Sequence, residues 1–246
     1  MLRRIRADLH VHTCLSPCGD LTMSPQKIAA QVARQNIEVV AICDHNSAEN
    51  VPAVMKAAES KNIVVLPGIE VCTSEEIHLL AIFDNLNSVF DMQSLVFSHL
   101  AGINDPEAFG LQVVANEFDE VIEFQNRMLI GAIDLPVERV VDEIHRRGGA
   151  AIASHIDRES FSVISQLGFI PDTLRFEALE LSSHIRNDDA RDRFASYSNS
   201  PFIRNSDAHF LVDIGTNTSE YMLEKPTFQE ILMALRSEDG RSVCES

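Results

Sequence analysis

The chain has 246 residues, 45% of them hydrophobic, and a formal charge of −17 from 37 Asp and Glu against 20 Lys and Arg. That length and composition suit a folded globular protein and exclude a disordered one, while the acidic excess disfavours a grip on long nucleic acid or anionic lipid, both of which need basic patches. No apolar run approaches a membrane span, no apolar segment follows the basic start MLRRIRADLH, and five cysteines are a poor disulfide framework, so the expectation is a reduced cytoplasmic protein without membrane contact.

In chain order, RIRADLHVH (4–12) reads as a strand whose polar groups emerge at its C-terminal end. Ser24-Pro25 then supplies an N-cap and a proline at the first helical position, opening a helix through about Gln35. IEVVAIC (37–43) is a nearly continuous apolar run, the pattern of a strand buried on both faces. A helix over about 49–61 and strands at 63–70 (IVVLPGIE) and 76–83 (EIHLLAIF) follow, and the alternation predicts a parallel sheet with helices outside.

Residues 84–134 break the rhythm with one helix (88–100), a Gly/Asn/Pro-rich turn (102–110) and two segments, LQVVAN and EVIEF, that suit a hairpin. This stretch reads as an insertion, a lid or small subdomain within a single domain spanning 1–246. The α/β pattern then resumes: a helix over 136–147 ended by Gly148-Gly149, the strand AAIASH, a helix near 159–167, a strand near 176–182, a helix near 188–195 and a strand at 201–205 leading into NSDAH. Thr227-Phe-Gln-Glu230 has the form of a capping box ahead of ILMAL. The layout favours a (β/α) barrel-like domain with one insertion.

Histidines and carboxylates fall at the ends of these strands. His10 and His12, two apart, share a strand face, and Asp207 and His209 repeat that spacing in NSDAH. His45 follows the second strand in CDHN, Glu70 ends the third, His78 sits in EIHLL and His155 ends AAIASH. In a (β/α) barrel those strand ends converge on one face, where active sites are built. Imidazole nitrogens with carboxylate oxygens form a ligand set for zinc, manganese or iron. Asp8 and Asp44, each within two residues of a candidate ligand, are placed to orient it by hydrogen bonding. His99 and His145 fall within helices and read as ordinary surface or hydrogen-bonded residues, whereas His184, just after a strand, is a candidate for touching substrate.

DLHVHT, CDHN, PGIE, SH and SDAH, in this order from residue 8 to residue 209, resemble the successive motifs of the PHP (polymerase and histidinol phosphatase) family. The resemblance implies a distorted (β/α)7 barrel carrying two or three divalent metal ions at the strand C-termini. It further implies that His10, His12, Glu70 and Asp207 hold one metal, that Glu70 bridges to a second completed by His78 and His155, and that His45, His209 and Asp20 hold a third. The loop CLSPCGD departs from the shorter loop of many members and bears on Asp20.

Adjacent divalent ions make hydroxide available near neutral pH and stabilise charge on a phosphate ester, so no serine or cysteine nucleophile is required. The activity expected is hydrolysis of a small phosphomonoester by metal-activated water, with Glu70, Asp207 and His209 in the catalytic centre. Arg158, in SHIDR, is a candidate phosphate contact because its planar fork donates to oxygens in pairs, and Arg186 and Arg204 are weaker candidates. The same centre also suits phosphodiester or C–N hydrolysis, and a non-catalytic binding module requires missing ligands that this sequence retains. Cys14 and Cys18 lack a second cysteine pair and are read as packing residues in their loop.

Overall fold

The computed structural model describes residues 1–244. Its first unit is β1 (Arg3–Val11), α1 (Pro25–Arg34), β2 (Val39–Ile42), α2 (Val51–Ala58), β3 (Val64–Cys72) and β4 (His78–Ile82). Then come α3 (Leu86–His99), α4 (Pro106–Phe109), β5 (Val113–Ala115) and β6 (Val121–Phe124). The chain continues through α5 (Val137–Arg146), β7 (Ala150–Ala153), α6 (Val163–Leu167), β8 (Ala178–Leu181), α7 (Asn187–Arg193) and β9 (Phe202–Arg204). It ends with β10 (Ser219–Leu223), α8 (Phe228–Leu235) and β11 (Ser242–Val243).

Nine strands form one sheet in the order β11-β10-β1-β2-β3-β4-β7-β8-β9, and β5-β6 form a separate hairpin. The sheet curls into a nearly closed barrel. Its seam lies between β1 and the segment after β9, where Val11 bridges Ala208 and the His12 N–H donates to the Ala208 carbonyl at 3.0 Å. The Asn205 side chain tightens the same seam by accepting the Leu9 N–H at 2.7 Å. Closure therefore presses Asp207 and His209 against His10 and His12.

The sheet is not wholly parallel. β4 runs antiparallel to both β3 and β7, and β10 antiparallel to β1. The reason is chain length: only residues 73–77 separate β3 from β4, far short of the dozen or so that a parallel crossover needs. Elsewhere the helix over 159–167 starts only at Val163, and α2 passes into a short 3-10 turn at Glu59–Lys61. The C-terminal strands β10 and β11 carry no alternation strong enough to be read from sequence. The capping box before α8 is half made: the Thr227 hydroxyl accepts from the Glu230 N–H, but Glu230 Oε2 accepts from Glu224 N–H instead of reaching back to Thr227.

Helices cover the outside through apolar stripes. In α5, Val137, Val140, Val141 and Ile144 are buried at helical spacing. A second, inner core fills the barrel with Ile5, Ala7, Leu9, Val39, Ala41, Leu66, Leu80, Ile152, Ala178 and Ile203. Gly68 permits the close approach of β2 to β3, since a Cβ there would lie 2.5 Å from Cys43 Sγ. Several inward rows change character at the barrel's open end: Leu66 and Gly68 give way to Glu70, Ala178 to Glu180, and Ile203 to Asn205. Apolar residues close one end of the barrel and donors crowd the other.

Candidate metal centre

His10 and His12 leave β1 at the seam, just where the pairing of β1 with β2 shifts register between Asp8 and Val11. His45 follows β2 and bridges Glu70 in backbone pairing, while Glu70 lies near the C-terminal end of β3. His78 is the first residue of β4, and because that strand is antiparallel its N-terminal end is the one that meets the centre. His155 follows β7, and Asp207 and His209 follow β9. His155 and Asp207 have φ of 30° and 50°, conformations that non-glycine residues adopt at a cost and that cluster where side chains must be aimed.

The distances converge on shared centres. His10 Nε2 and His12 Nε2 are 3.1 Å apart, and Asp207 Oδ1 lies 3.3 and 3.2 Å from them. Glu70 Oε1 lies 3.4 Å from His10 Nε2, 3.1 Å from His78 Nδ1 and 3.5 Å from His155 Nε2. Glu70 Oε2 lies 2.9 Å from His45 Nδ1 and 3.5 Å from His12 Nε2. His12, His45 and His209 form a further cluster whose donor atoms lie within 4.8 Å of one another. Ligands about 2.0–2.2 Å from one ion at near-tetrahedral angles stand about 3.0–3.6 Å from each other, which is the spacing seen here.

Hydrogen bonding fixes which atoms face inward. His10 Nδ1 lies 3.1 Å from both carboxylate oxygens of Glu180. Ser16 Oγ donates to Asp44 Oδ1 at 2.7 Å and therefore accepts from His12 Nδ1 at 2.9 Å. Both rings thus place a proton on Nδ1 and turn Nε2 toward its neighbour, so a cation, whether proton or metal, has to lie between the Nε2 atoms. Burial opposes charge on His10, yet Glu180, Asp207 and Glu70 outweigh it and hold this imidazole well above its usual range. Burial and the neighbouring His209 hold His12 well below it. Burial likewise opposes ionisation of Asp207, but His10 and His12 keep its carboxyl well below the ordinary range.

The fit to a metal is tested by Glu70. It is 1% exposed, and among the described residues neither carboxylate oxygen has a hydrogen-bond partner despite imidazole nitrogens about 3 Å away. The nitrogens stand beside the oxygens but do not point N–H bonds at them. A buried carboxylate left in that state is a poor structural element and a good metal ligand. The donor set of imidazoles and carboxylates fits zinc, manganese or iron.

Three expectations need correction. Asp20 does not join the cluster: its Oδ1 accepts from the Thr22 N–H and hydroxyl, closing a local turn. His184 is exposed and makes no ring contact with the centre, because Ser182 is tied to Asp157 and turns the chain away. Cys18 is not a packing residue. Cys14 is buried as expected, but Cys18 is exposed.

The remaining candidates divide. Arg158 reaches the centre, its NH2 2.6 Å from Asp207 Oδ2. Arg204 is consumed by the Ser182 and Ile185 carbonyls and Asn187 Oδ1, and Arg186 is the exposed N-cap of α7. His99 and His145 pair with Asp134 and Glu177 away from the centre. Asp44 acts on His12 through Ser16, whereas Asp8 accepts from the Ser206 and Gly215 N–H groups and so braces the segment carrying Asp207. Sequence reasoning missed Glu180, which also accepts from His155 N–H and Asn205 Nδ2. Its signal was present: a carboxylate between Leu179 and Leu181 in a buried strand needs a cationic or donating partner.

A PHP domain family model matches residues 8–166, and a PHP-associated family model matches residues 184–239. No curated protein sequence matches the chain. Among solved structures, the lesion-specific endonuclease PfuEndoQ from Pyrococcus furiosus is similar over 98% of this chain with TM-score 0.75 and 17% identity. The chain spans 58% of that endonuclease's length. A Bifidobacterium adolescentis protein assigned as a metal-dependent phosphoesterase is similar over 82% of this chain and 87% of its own, with TM-score 0.57 and 18% identity. An amidohydrolase from Chromobacterium violaceum, with bound sulfate and no metal, is similar over 86% of this chain and 90% of its own, with TM-score 0.58 and 17% identity.

Proposed function

This chain belongs to the PHP family, and from that premise we propose that it is a metal-dependent hydrolase acting on a small phosphomonoester. The observation that carries the reading is the buried, unpartnered Glu70 carboxylate among five imidazoles, those of His10, His12, His45, His78 and His155. Two or three divalent ions held by His10, His12, His45, Glu70, His78, His155, Asp207 and His209 would supply hydroxide near neutral pH and neutralise charge on the phosphoryl oxygens.

The chain's own residues supply position. Glu180 and Ser16 hold the His10 and His12 rings in the tautomer that faces the centre. Arg158, now paired with Asp207, is within reach to donate to a phosphoryl oxygen in the same place. The 84–134 segment forms a wall beside the loop after β1, where the Val113 N–H donates to the Cys14 carbonyl at 2.9 Å.

A second reading, hydrolysis of a phosphodiester in nucleic acid, is favoured by the likeness to the endonuclease and opposed by the net charge of −17. Inorganic phosphate from phosphomonoesters, cleavage products from a dinucleotide and an abasic duplex, and the ring-opened acid from a cyclic amide, each assayed with manganese, zinc and iron, separate the readings. Turnover of monoesters alone supports the proposal. Turnover confined to the duplex or the amide replaces it.

A further inference from the structure

We propose that Phe161 is the surface on which the alcohol side of the substrate rests, so that the esters this chain favours carry a flat aromatic or heteroaromatic ring. The inference deepens the phosphomonoester reading above and rests on it. The Phe161 ring stacks on the His78 imidazole, with centroids 4.6 Å apart and planes inclined by 24°. His78 is 9% exposed and Phe161 40% exposed, so the ring stands between a residue of the centre and solvent. The imidazole occupies one face of the ring, which leaves the other for a ligand.

The backbone holds the ring there at a cost. Phe161 has φ of 57°, a left-handed conformation that a bulky residue rarely adopts and that persists only where surrounding contacts impose it. The Phe161 carbonyl accepts the His78 N–H at 2.9 Å, which ties the loop to the first residue of β4. The next residue, Ser162, is buried, caps α6, and donates its hydroxyl to the Arg158 carbonyl at 2.8 Å. A side chain needed only to cover His78 could do so from relaxed backbone without leaving apolar area in water. A strained, partly exposed aromatic suits a ligand that completes the stack.

The same loop carries the candidate phosphate contact. Arg158 and Phe161 are three residues apart, and between them Glu159 and Ser160 form an exposed tip. Arg158 reaches Asp207 while Phe161 covers His78, and these two belong to one donor network joined through His10 and Glu70. A phosphoryl group seated beside Arg158 can thus extend its alcohol over the Phe161 ring. Stacking then selects among phosphate esters that the metal ions and the arginine treat alike.

The test uses phosphonates, whose C–P bond is not hydrolysed, so that binding is read apart from turnover. The manganese-loaded full chain is titrated calorimetrically with benzylphosphonate and with its saturated counterpart, cyclohexylmethylphosphonate. The wild type is expected to bind the benzyl compound about 5-fold more tightly, Phe161→Leu to erase that difference and Phe161→Tyr to retain it. The ratio of the two Kd values cancels any general weakening of the centre in a variant. A nucleoside phosphonate bound more tightly than benzylphosphonate assigns the ring to a nucleobase, and the reverse order assigns it to a simple aryl alcohol. Equal affinities in the wild type, which need no variant to measure, or a preference that survives Phe161→Leu, overturn the assignment and leave the phosphoryl reading standing. Binding of neither phosphonate by the wild type overturns that reading and the assignment with it.

Discussion

His10 presents Nδ1 to both carboxylate oxygens of Glu180, 3.1 Å from each, on the side of the ring away from Glu70 and Asp207. Glu180 therefore determines which nitrogen of His10 serves the centre. Removing such an outer partner from a metal-ligating histidine weakens metal binding about 10–100-fold. Glu180→Gln keeps the shape, replaces one acceptor by a donor, and is expected to lower zinc affinity by that factor with an unchanged circular dichroism spectrum. Unaltered affinity in a calorimetric titration would remove Glu180 from the account.

The centre gathers imidazole and carboxylate ligands from several strand ends, so a metal that binds the folded chain alone stabilises it. At an ion concentration about 100-fold above Kd the gain is about 2.7 kcal/mol, or roughly 5–10 °C in Tm for a chain of this size. EDTA is expected to lower Tm by that amount and zinc or manganese to restore it. A melting curve indifferent to both would mean that the cluster is stable as an ordinary network of protonated histidines.

Arg158 holds Asp207 at 2.6 Å in this structure and is expected to turn to substrate phosphate. A hydrogen bond from a charged donor contributes about 1.5–3 kcal/mol, so Arg158→Ala should reduce kcat/KM about 10–100-fold. Lysine lacks the planar fork, and Arg158→Lys should recover only part of the loss. Steady-state kinetics on the best phosphomonoester check this. An unchanged kcat/KM in Arg158→Ala leaves the arginine as a brace for Asp207 alone.

Far from the centre, Glu177 ties α5 and α8 to β7. Burial raises its pKa, but His145, the Ala151 N–H and Arg236 outweigh that effect and hold the carboxyl below its ordinary 4.5. A depressed carboxylate contributes stability above its unfolded value that is lost as pH falls through the folded value. Denaturant unfolding should therefore show stability falling below about pH 4.5. Glu177→Gln should be less stable at pH 6 and show a flatter decline in acid. Parallel pH profiles for the two proteins contradict this role.

The strand-end histidines and carboxylates were legible because each follows an apolar run, and the barrel brings such positions together whatever the loops do. The β4 reversal was legible only in part: the five residues between β3 and β4 are too few for a crossover, yet the apolar pattern of LLAI has no direction. Asp20, His184 and Cys18 were misread for one reason. They lie in loops, where the side chain's aim is set by hydrogen bonds such as the local Asp20–Thr22 turn and the long-range Ser182–Asp157 pair, which composition does not reveal. Glu180 lies inside the run ALEL and not beyond its end, so the strand-end pattern passes over it, although its buried charge needs a partner as much as that of Glu70.

Glu70 contributes to two of the three donor groups, His10–His12–Glu70 and His45–Glu70–His78, so its loss tests the centre most directly. The measurement is a calorimetric titration of metal-free wild-type and Glu70→Gln protein with zinc and with manganese. The account predicts tight uptake of at least two ions by the wild type and loss of that uptake in Glu70→Gln, with both proteins folded. Equal uptake by the two proteins, or none by the wild type, would contradict it.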